Sequence, residues 1–184
     1  MTYEYTDSTV LVVSLAEAKL HLRVDDTNED TLISALIWTA TQYAQNYCNR
    51  LFIDTDITAY ADDFYSETVL LKKGQVTALT SVKYYNTLDV ETTWPTTEYQ
   101  YDIKSIPARI APKSTKTYPS TMDKMNAVKY EYKVGWTNAA EVPDAIKQAI
   151  LLIIGGLYSH REDSVFRLPT ASQNLLNTFR LNYL

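Results

Sequence analysis

The sequence predicts an α+β fold: a small helical bundle formed by both chain ends, with a β-rich insertion in the middle. Three observations lead there. The apolar residues recur every three or four positions near both ends of the chain, and every second position between about residues 54 and 134. The run Ala149–Tyr158 (AILLIIGGLY) carries no polar side chain except one tyrosine hydroxyl, so a helix there must be covered on every side. Finally, 184 residues with 46% apolar content are enough for one domain bearing an inserted subdomain. The expected boundaries are 1–53 and 135–184 for the bundle, and 54–134 for the insertion.

Ser14-Leu15-Ala16-Glu17 has the Ser-x-x-Glu form of a capping box, in which each end satisfies a free backbone N–H of the other. A short helix is therefore expected to start there and to end near Arg23. The acidic linker 24–30 follows, and its carboxylates suit the positive end of a second helix. That helix has the clearest period in the chain, through Leu32, Ile33, Leu36, Ile37, Ala40, Tyr43, Ala44, Tyr47 and Cys48, with Asn49-Arg50 as its stop. Leu32, Leu36 and Tyr43 are taken as its core positions. The two helices read as an αα-hairpin.

From Asp54 onward Thr, Val, Ile and Tyr dominate, as a half-buried pleated surface prefers. Strands are expected over 56–61, 67–72, 81–85, 99–103, 108–111 and 128–134. The last alternates apolar with charged residues, so one of its faces should be solvated. Residues 113–124 read as an exposed loop. Pro143 suits the first turn of the next helix, whose core includes Ile146 and Ile150. Gly155-Gly156 inside that helix costs about 1 kcal/mol per glycine relative to alanine, which implies a bend or a close neighbour, such as Ala35, Ala40 and Ala44 of the second helix. After the charged end His160-Arg161-Glu162-Asp163, residues 164–169 form an extended link. Thr170 then caps a last helix carrying Leu175, Leu176, Phe179 and Tyr183.

No catalytic, metal or cofactor residues are predicted. Asp26-x-Asn28-x-Asp30 resembles the start of a calcium loop, but Thr31 stands where glycine is required and Ile37 where the bidentate glutamate belongs. The two histidines, His21 and His160, and the single Cys48 make no zinc spacing. Four glycines form no phosphate-cradling loop and no Gly-x-Ser-x-Gly elbow. The start of the chain shows neither a basic nor an apolar leader segment, so no secretory signal is expected. No apolar run reaches the roughly 20 residues of a membrane span. A net charge of −5 argues against general nucleic-acid binding. Residues 1–63 hold 11 acids and 3 bases, whereas 64–184 hold 11 acids and 14 bases, so the acidic part of one copy could meet the basic part of another. Tyr84, Tyr85, Tyr99, Tyr101, Tyr130 and Tyr132 leave a second reading open, a tyrosine-rich sheet that binds glycans or single-stranded nucleic acid. Against it, tyrosine is also a good strand residue with a useful polar tip.

The order of several short motifs resembles a known family. They are Val13-Ser14-Leu15-Ala16-Glu17-Ala18-Lys19-Leu20-His21-Leu22-Arg23-Val24-Asp25, Glu29-Asp30-Thr31-Leu32-Ile33 and Ala40-x-x-Tyr43-Ala44-x-x-Tyr47-x-Asn49-Arg50. Tyr130-x-Tyr132-x-Val134-Gly135-Trp136, Val142-Pro143-x-x-Ile146-Lys147-x-Ala149-Ile150, Tyr158-x-x-Arg161-Glu162 and Leu175-Leu176-x-x-x-Arg180 complete the series. Together they are similar to the head–tail connector family of tailed bacteriophages, also called adaptor or head-completion proteins. Residues 54–125 match little beyond their strand character. The resemblance implies a non-enzymatic virion protein of the neck, assembled in the host cytoplasm. It implies a homo-oligomeric ring of twelve under the portal protein, joined below to a stopper or tail terminator. DNA would pass through the ring without sequence-specific binding. Ser164–Leu184 has two arginines and no acid, so Phe166, Arg167, Leu168, Leu175, Leu176, Phe179 and Arg180 are the expected portal contacts.

Overall fold

In the computed structural model, which describes residues 1–64, 67–161 and 170–183, the chain forms two compact units. One comprises residues 8–53 and 136–182 and is helical. The other comprises residues 1–7, 54–135 and Tyr183 and is built of β-strands. Among the described residues no helix is long and apolar enough to cross a membrane.

The helical unit contains α1 (Leu15–Leu22), α2 (Asp30–Cys48), a 3-10 turn at Ala139–Glu141, α3 (Asp144–Ser159) and α4 (Thr170–Asn177). The capping box at the head of α1 is closed in both directions: the Glu17 N–H donates to the Ser14 hydroxyl at 3.2 Å, and the Ser14 N–H donates to the Glu17 carboxylate at 2.7 Å. Arg23 and Asn49 end α1 and α2 in left-handed conformations, with φ of 58° and 53°. Pro143 stands one position earlier than expected, as the N-cap of α3, where its carbonyl accepts from the Ile146 and Lys147 N–H groups.

The core of this unit is aliphatic. Ile33, Ile37, Ala40, Ala44 and Cys48 of α2 meet Ile146, Ala149, Ile150, Ile153 and Ile154 of α3, all fully buried. The stripe on α2 is thus narrower than its apolar sequence suggests. Leu36 packs at the edge of the core, but Leu32 and Tyr43, expected inside, are 37% and 44% exposed. The buried positions step by three or four, whereas Leu32 and Tyr43 precede Ile33 and Ala44 by one residue, about 100° round the helix.

The glycine expectation is corrected in the same way. The neighbour of Gly155 is His21 of α1, whose Nε2 would lie 3.3 Å from an added Cβ, and not the alanines of α2. The last helix ends at Asn177, earlier than expected, because Tyr183 belongs to the β unit, where its hydroxyl accepts from the Lys73 N–H at 2.8 Å.

The β unit has two antiparallel sheets. The first runs β1 (Thr2–Tyr5), β2 (Thr55–Ala61), β8 (Val128–Val134), β4 (Val76–Tyr85), β5 (Glu91–Thr93) in spatial order. The second runs β3 (Val69–Leu71), β7 (Ala108–Pro112), β6 (Tyr99–Asp102). Two strands were not expected. β1 brings the first residues of the chain into the β unit, with Tyr3 opposite Ala59, and β5 forms a hairpin with β4. β4 also starts earlier than its sequence period indicates, since two register irregularities, between Val76 and Ala78 and between Leu79 and Ser81, break its alternation.

β8 holds the first sheet together. Val128, Tyr130, Tyr132 and Val134 are buried, and the residues between them face the partly solvated side. There Lys129 pairs with Glu91 of β5 at 2.5 Å, Glu131 with Lys83 of β4 at 2.7 Å, and Lys133 with Asp56 of β2 at 3.2 Å. The buried side is aromatic: Trp94 lies 4.8 Å from Tyr99 and 5.3 Å from Tyr118, and Phe64 stacks on Tyr118 at 4.6 Å between ring centres.

Candidate assembly surfaces

The polar groups of the helical unit are tied into its own frame. Lys19 reaches from α1 to Asp30 at the head of α2, at 2.6 Å, and to the Asp26 carbonyl at 2.6 Å. The acidic linker that resembled a calcium loop is therefore folded around a lysine ammonium. Glu29, the N-cap of α2, accepts from the Tyr158 hydroxyl and from the Arg161 guanidinium, the latter at 2.7 Å. Arg161 also lies 4.4 Å over the Tyr158 ring. These two hydrogen bonds, with Tyr158 the larger contributor, hold the Glu29 carboxyl below its ordinary range, and Glu29 raises Tyr158 in return. His160-Arg161 is thus a helix end fastened to α2. Glu162 and Asp163 lie outside the described residues.

The expected portal contacts divide. Phe166, Arg167 and Leu168 lie outside the described residues. Leu176 is fully buried in the helical core, and Leu175 and Phe179 pack against that core. Leu176 is therefore an anchor of the chain's own bundle, which corrects the sequence expectation for that residue, whereas Leu175 and Phe179 are half-buried and keep part of their surface open. The apolar face of α4 had to be covered, and α2 and α3 lie close enough to cover it. Tyr47 donates to Asn177 at 2.7 Å, and the Leu181 N–H donates to the Cys48 carbonyl at 2.9 Å. Arg180 stays exposed, 5.2 Å over the Tyr47 ring.

In the β unit three of the six strand tyrosines face inward, Tyr84 and Tyr85 are half-buried and Tyr101 is exposed. Tyr99, Tyr130 and Tyr132 are at most 3% exposed, so the six residues make no continuous stacking surface. Burial pushes the Tyr130 and Tyr132 hydroxyls far up, and both stay protonated at any ordinary pH. Tyr132 donates to the Lys72 carbonyl at 3.0 Å, but among the described residues the Tyr130 hydroxyl and the Trp94 indole N–H have no hydrogen-bond partner. Tyr130 lines a cleft of about 490 Å³ whose other walls include Thr2, Tyr3, Val69, Leu70 and Lys72. No sequence signal points to this cleft, because its walls come from four separate segments.

The charge asymmetry between the two parts of the sequence is also absorbed within one copy. Asp54 and Asp56 pair with Lys133 at 3.5 and 3.2 Å, and Glu29 with Arg161, so acids of the first 63 residues meet bases from the rest of the same chain. Counted by folded unit, the β unit holds 13 acids and 10 bases and the helical unit 9 and 7, so both are mildly acidic.

The sequence profile of the family described as phage gp6-like head-tail connector protein matches residues 12–112, more than half of the chain. The chain belongs to that family. The matched span runs from Val12, two residues before the capping box, to the end of β7, so it takes in α1, α2 and much of the β unit of this connector. No curated protein matches the connector. Solved structures with the same fold include a chain in the virion of a native gene transfer agent (GTA) particle, with a TM-score of 0.82 at 16% identity, covering 100% of the connector and 97% of that chain. A chain in the neck of an empty GTA particle, solved with C6 symmetry, gives a TM-score of 0.81 at 16% identity with the same coverage. A third, in the neck of the native GTA particle solved with C12 symmetry, gives 0.69 at 16% identity, covering 98% of the connector and 97% of that chain.

Proposed function

We propose that the connector forms a ring of twelve copies beneath the portal of a DNA-filled head, joins that head to the next neck or tail component, and surrounds the channel through which DNA passes. The observation that carries this reading is the coincidence of family and fold. A chain belonging to the head–tail connectors has, along nearly its whole length, the fold of a chain found in a particle neck solved with twelvefold symmetry. The surface chemistry agrees with it. Most lysines are already paired with acids of the same copy, and both units are mildly acidic, which suits a wall past which DNA slides rather than binds.

The test is to mix the full chain with the portal protein encoded by the same genome and to image the product. A twelvefold ring seated on the portal is expected. A chain that stays monomeric in the presence of the portal overturns the reading. Portal contact is assigned on sequence grounds to Phe166, Arg167 and Leu168, and to the open parts of Leu175, Phe179 and Arg180. Phe166→Ala with Leu168→Ala should weaken seating on the portal, and unchanged seating removes that assignment.

A further inference from the structure

We infer that the tip of the β4–β5 hairpin of one copy seats in the cleft between β1 and β3 of the next, making this pair of surfaces a contact that closes the ring. The inference rests on the ring reading and names the surfaces that reading leaves open.

The tip is residues 86–90. It is rigid: the Asn86 side-chain oxygen accepts from the Leu88 and Val90 N–H groups at 3.0 and 3.1 Å, and the Asp89 N–H donates to the Asn86 carbonyl at 2.9 Å. A loop held this firmly nevertheless turns its apolar side chains outward, with Leu88 81% and Val90 55% exposed. The two acids nearby carry no free charge, since Asp89 is paired with Lys124 and Glu91 with Lys129. The tip is therefore an apolar knob without net charge, already ordered before it meets anything. Little conformational entropy is lost when such a knob is seated.

The cleft offers the matching features. Its walls include Thr2 and Tyr3 on β1 and Val69 and Leu70 on β3, and each of these strands is the outer strand of its sheet. Outer strands leave backbone N–H and C=O groups unpaired, which an entering loop or strand can satisfy. Tyr130 is among the lining residues, and its hydroxyl is buried beneath the cleft surface without a hydrogen-bond partner among the described residues. A buried donor left unmade is costly, and a backbone carbonyl of the incoming tip would accept from it.

The placement of the two surfaces decides the occupant. β1 and the β4–β5 hairpin lie on opposite edges of the same sheet, four strand spacings or roughly 19 Å apart. Both surfaces lie at the end of the sheet where β2 and β4 finish and β8 begins. A knob on one edge and a socket on the other, at one level of one sheet, make a head-to-tail contact, which closes into a ring when the rotation per copy allows. A second copy of this chain fits that arrangement, since it supplies both halves.

The experiment is disulfide trapping in the full chain with Leu88→Cys and Leu70→Cys. The native Cys48 is buried, and burial pushes its thiol up to about 11, so it stays silent. Mild oxidation of the assembled double variant should give a ladder of covalently linked copies. The pair Leu20→Cys with Leu70→Cys, in which Leu20 is also 81% exposed, should not. Leu88→Asp should weaken assembly by at least about tenfold with the monomer's unfolding unchanged, and Tyr130→Phe by about threefold to tenfold. Rings that form normally but show no 88–70 linkage above the control, or that tolerate Leu88→Asp, overturn the knob and socket and leave the ring reading standing. A chain that forms no ring alone or on the portal overturns both.

Discussion

The helical unit and the β unit bury their interiors by different means. The helical core is aliphatic, drawn from α2 and α3 at helical spacing, and its polar groups (Lys19 with Asp30, Glu29 with Tyr158 and Arg161) lie at helix ends. The β core adds to its aliphatic strand residues an aromatic cluster of Phe64, Trp94, Tyr99, Tyr118 and Tyr130, in which the Trp94 and Tyr130 donors are buried and unpaired among the described residues. The first interior is complete in one copy. The second opens onto a cleft with unpaired strand edges. The difference teaches that helical spacing lets one aliphatic stripe close on another, whereas the aromatic interior of the sheets keeps an open cleft at its edge. Exposed apolar side chains remain on both units, Leu20 on the one and Leu88 on the other, each 81% exposed.

The sharpest break of that contrast is a cavity in the helical core. Ile150→Ala should lower unfolding free energy by about 2–5 kcal/mol in a denaturant titration, since Ile150 is wholly buried among α2 and α3 side chains. A loss under about 1 kcal/mol would mean that the core is loosely packed and not a rigid scaffold.

A matched pair of tyrosines probes the β core. Tyr132→Phe should cost about 1 kcal/mol, because it leaves the Lys72 carbonyl without its donor. Tyr130→Phe removes a hydroxyl that has no partner and should be neutral or slightly stabilising in the monomer. Equal losses in urea midpoint for both would contradict the unpaired hydroxyl.

The pH response separates the units by their carboxylates. Glu29 in the helical unit and Asp102 in the β unit both have lowered folded-state pKa values, Asp102 reaching about 2 through Arg109 and backbone N–H groups. A lowered carboxylate pKa stabilises the fold above the unfolded value and loses that contribution as pH falls through the folded one. For Glu29 the loss therefore begins below the ordinary glutamate value of 4.5, and for Asp102 it begins below the ordinary aspartate value of 3.8 and ends near 2. Glu29→Gln should flatten the upper part of the acid limb of stability, followed by helical circular dichroism. An unchanged limb would show that the clasp contributes nothing.

The smallest effects belong on the outside of α2. Leu32→Ser and Tyr43→Ser should each change unfolding free energy by about 0.5 kcal/mol or less, against several times that for Ile33→Ala one residue away. Comparable losses at positions 32 and 33 would place Leu32 in the core after all.

How far each part could be read from the sequence follows the same division. The capping box at Ser14 and the period of α2 are local, because every interacting group lies within four residues along the chain. Even so, the pattern left a choice between adjacent apolar stripes, and only the position of α3 selected Ile33 over Leu32. β1 and β5 passed unread because a short strand has no identity until a partner's register supplies it: Tyr3 needs Ala59, and Thr92 needs Tyr84. Leu176 was read as an outward anchor because its apolar character says that it must be covered, not by what. The cleft at Tyr130 left no local trace at all.

By itself, then, the sequence determined the class of fold, the helical and strand periods of its parts and the order of motifs that resembles the head–tail connectors, since all of these rest on side-chain type and short spacing. Tertiary structure alone decided which apolar residues are inside, where the N-terminal strand and Tyr183 go, and which acids meet which bases. It also placed an apolar hairpin tip and an open cleft on opposite edges of one sheet. Those outcomes depend on contacts between residues tens of positions apart, and spacing along a chain carries no record of which distant partner arrives.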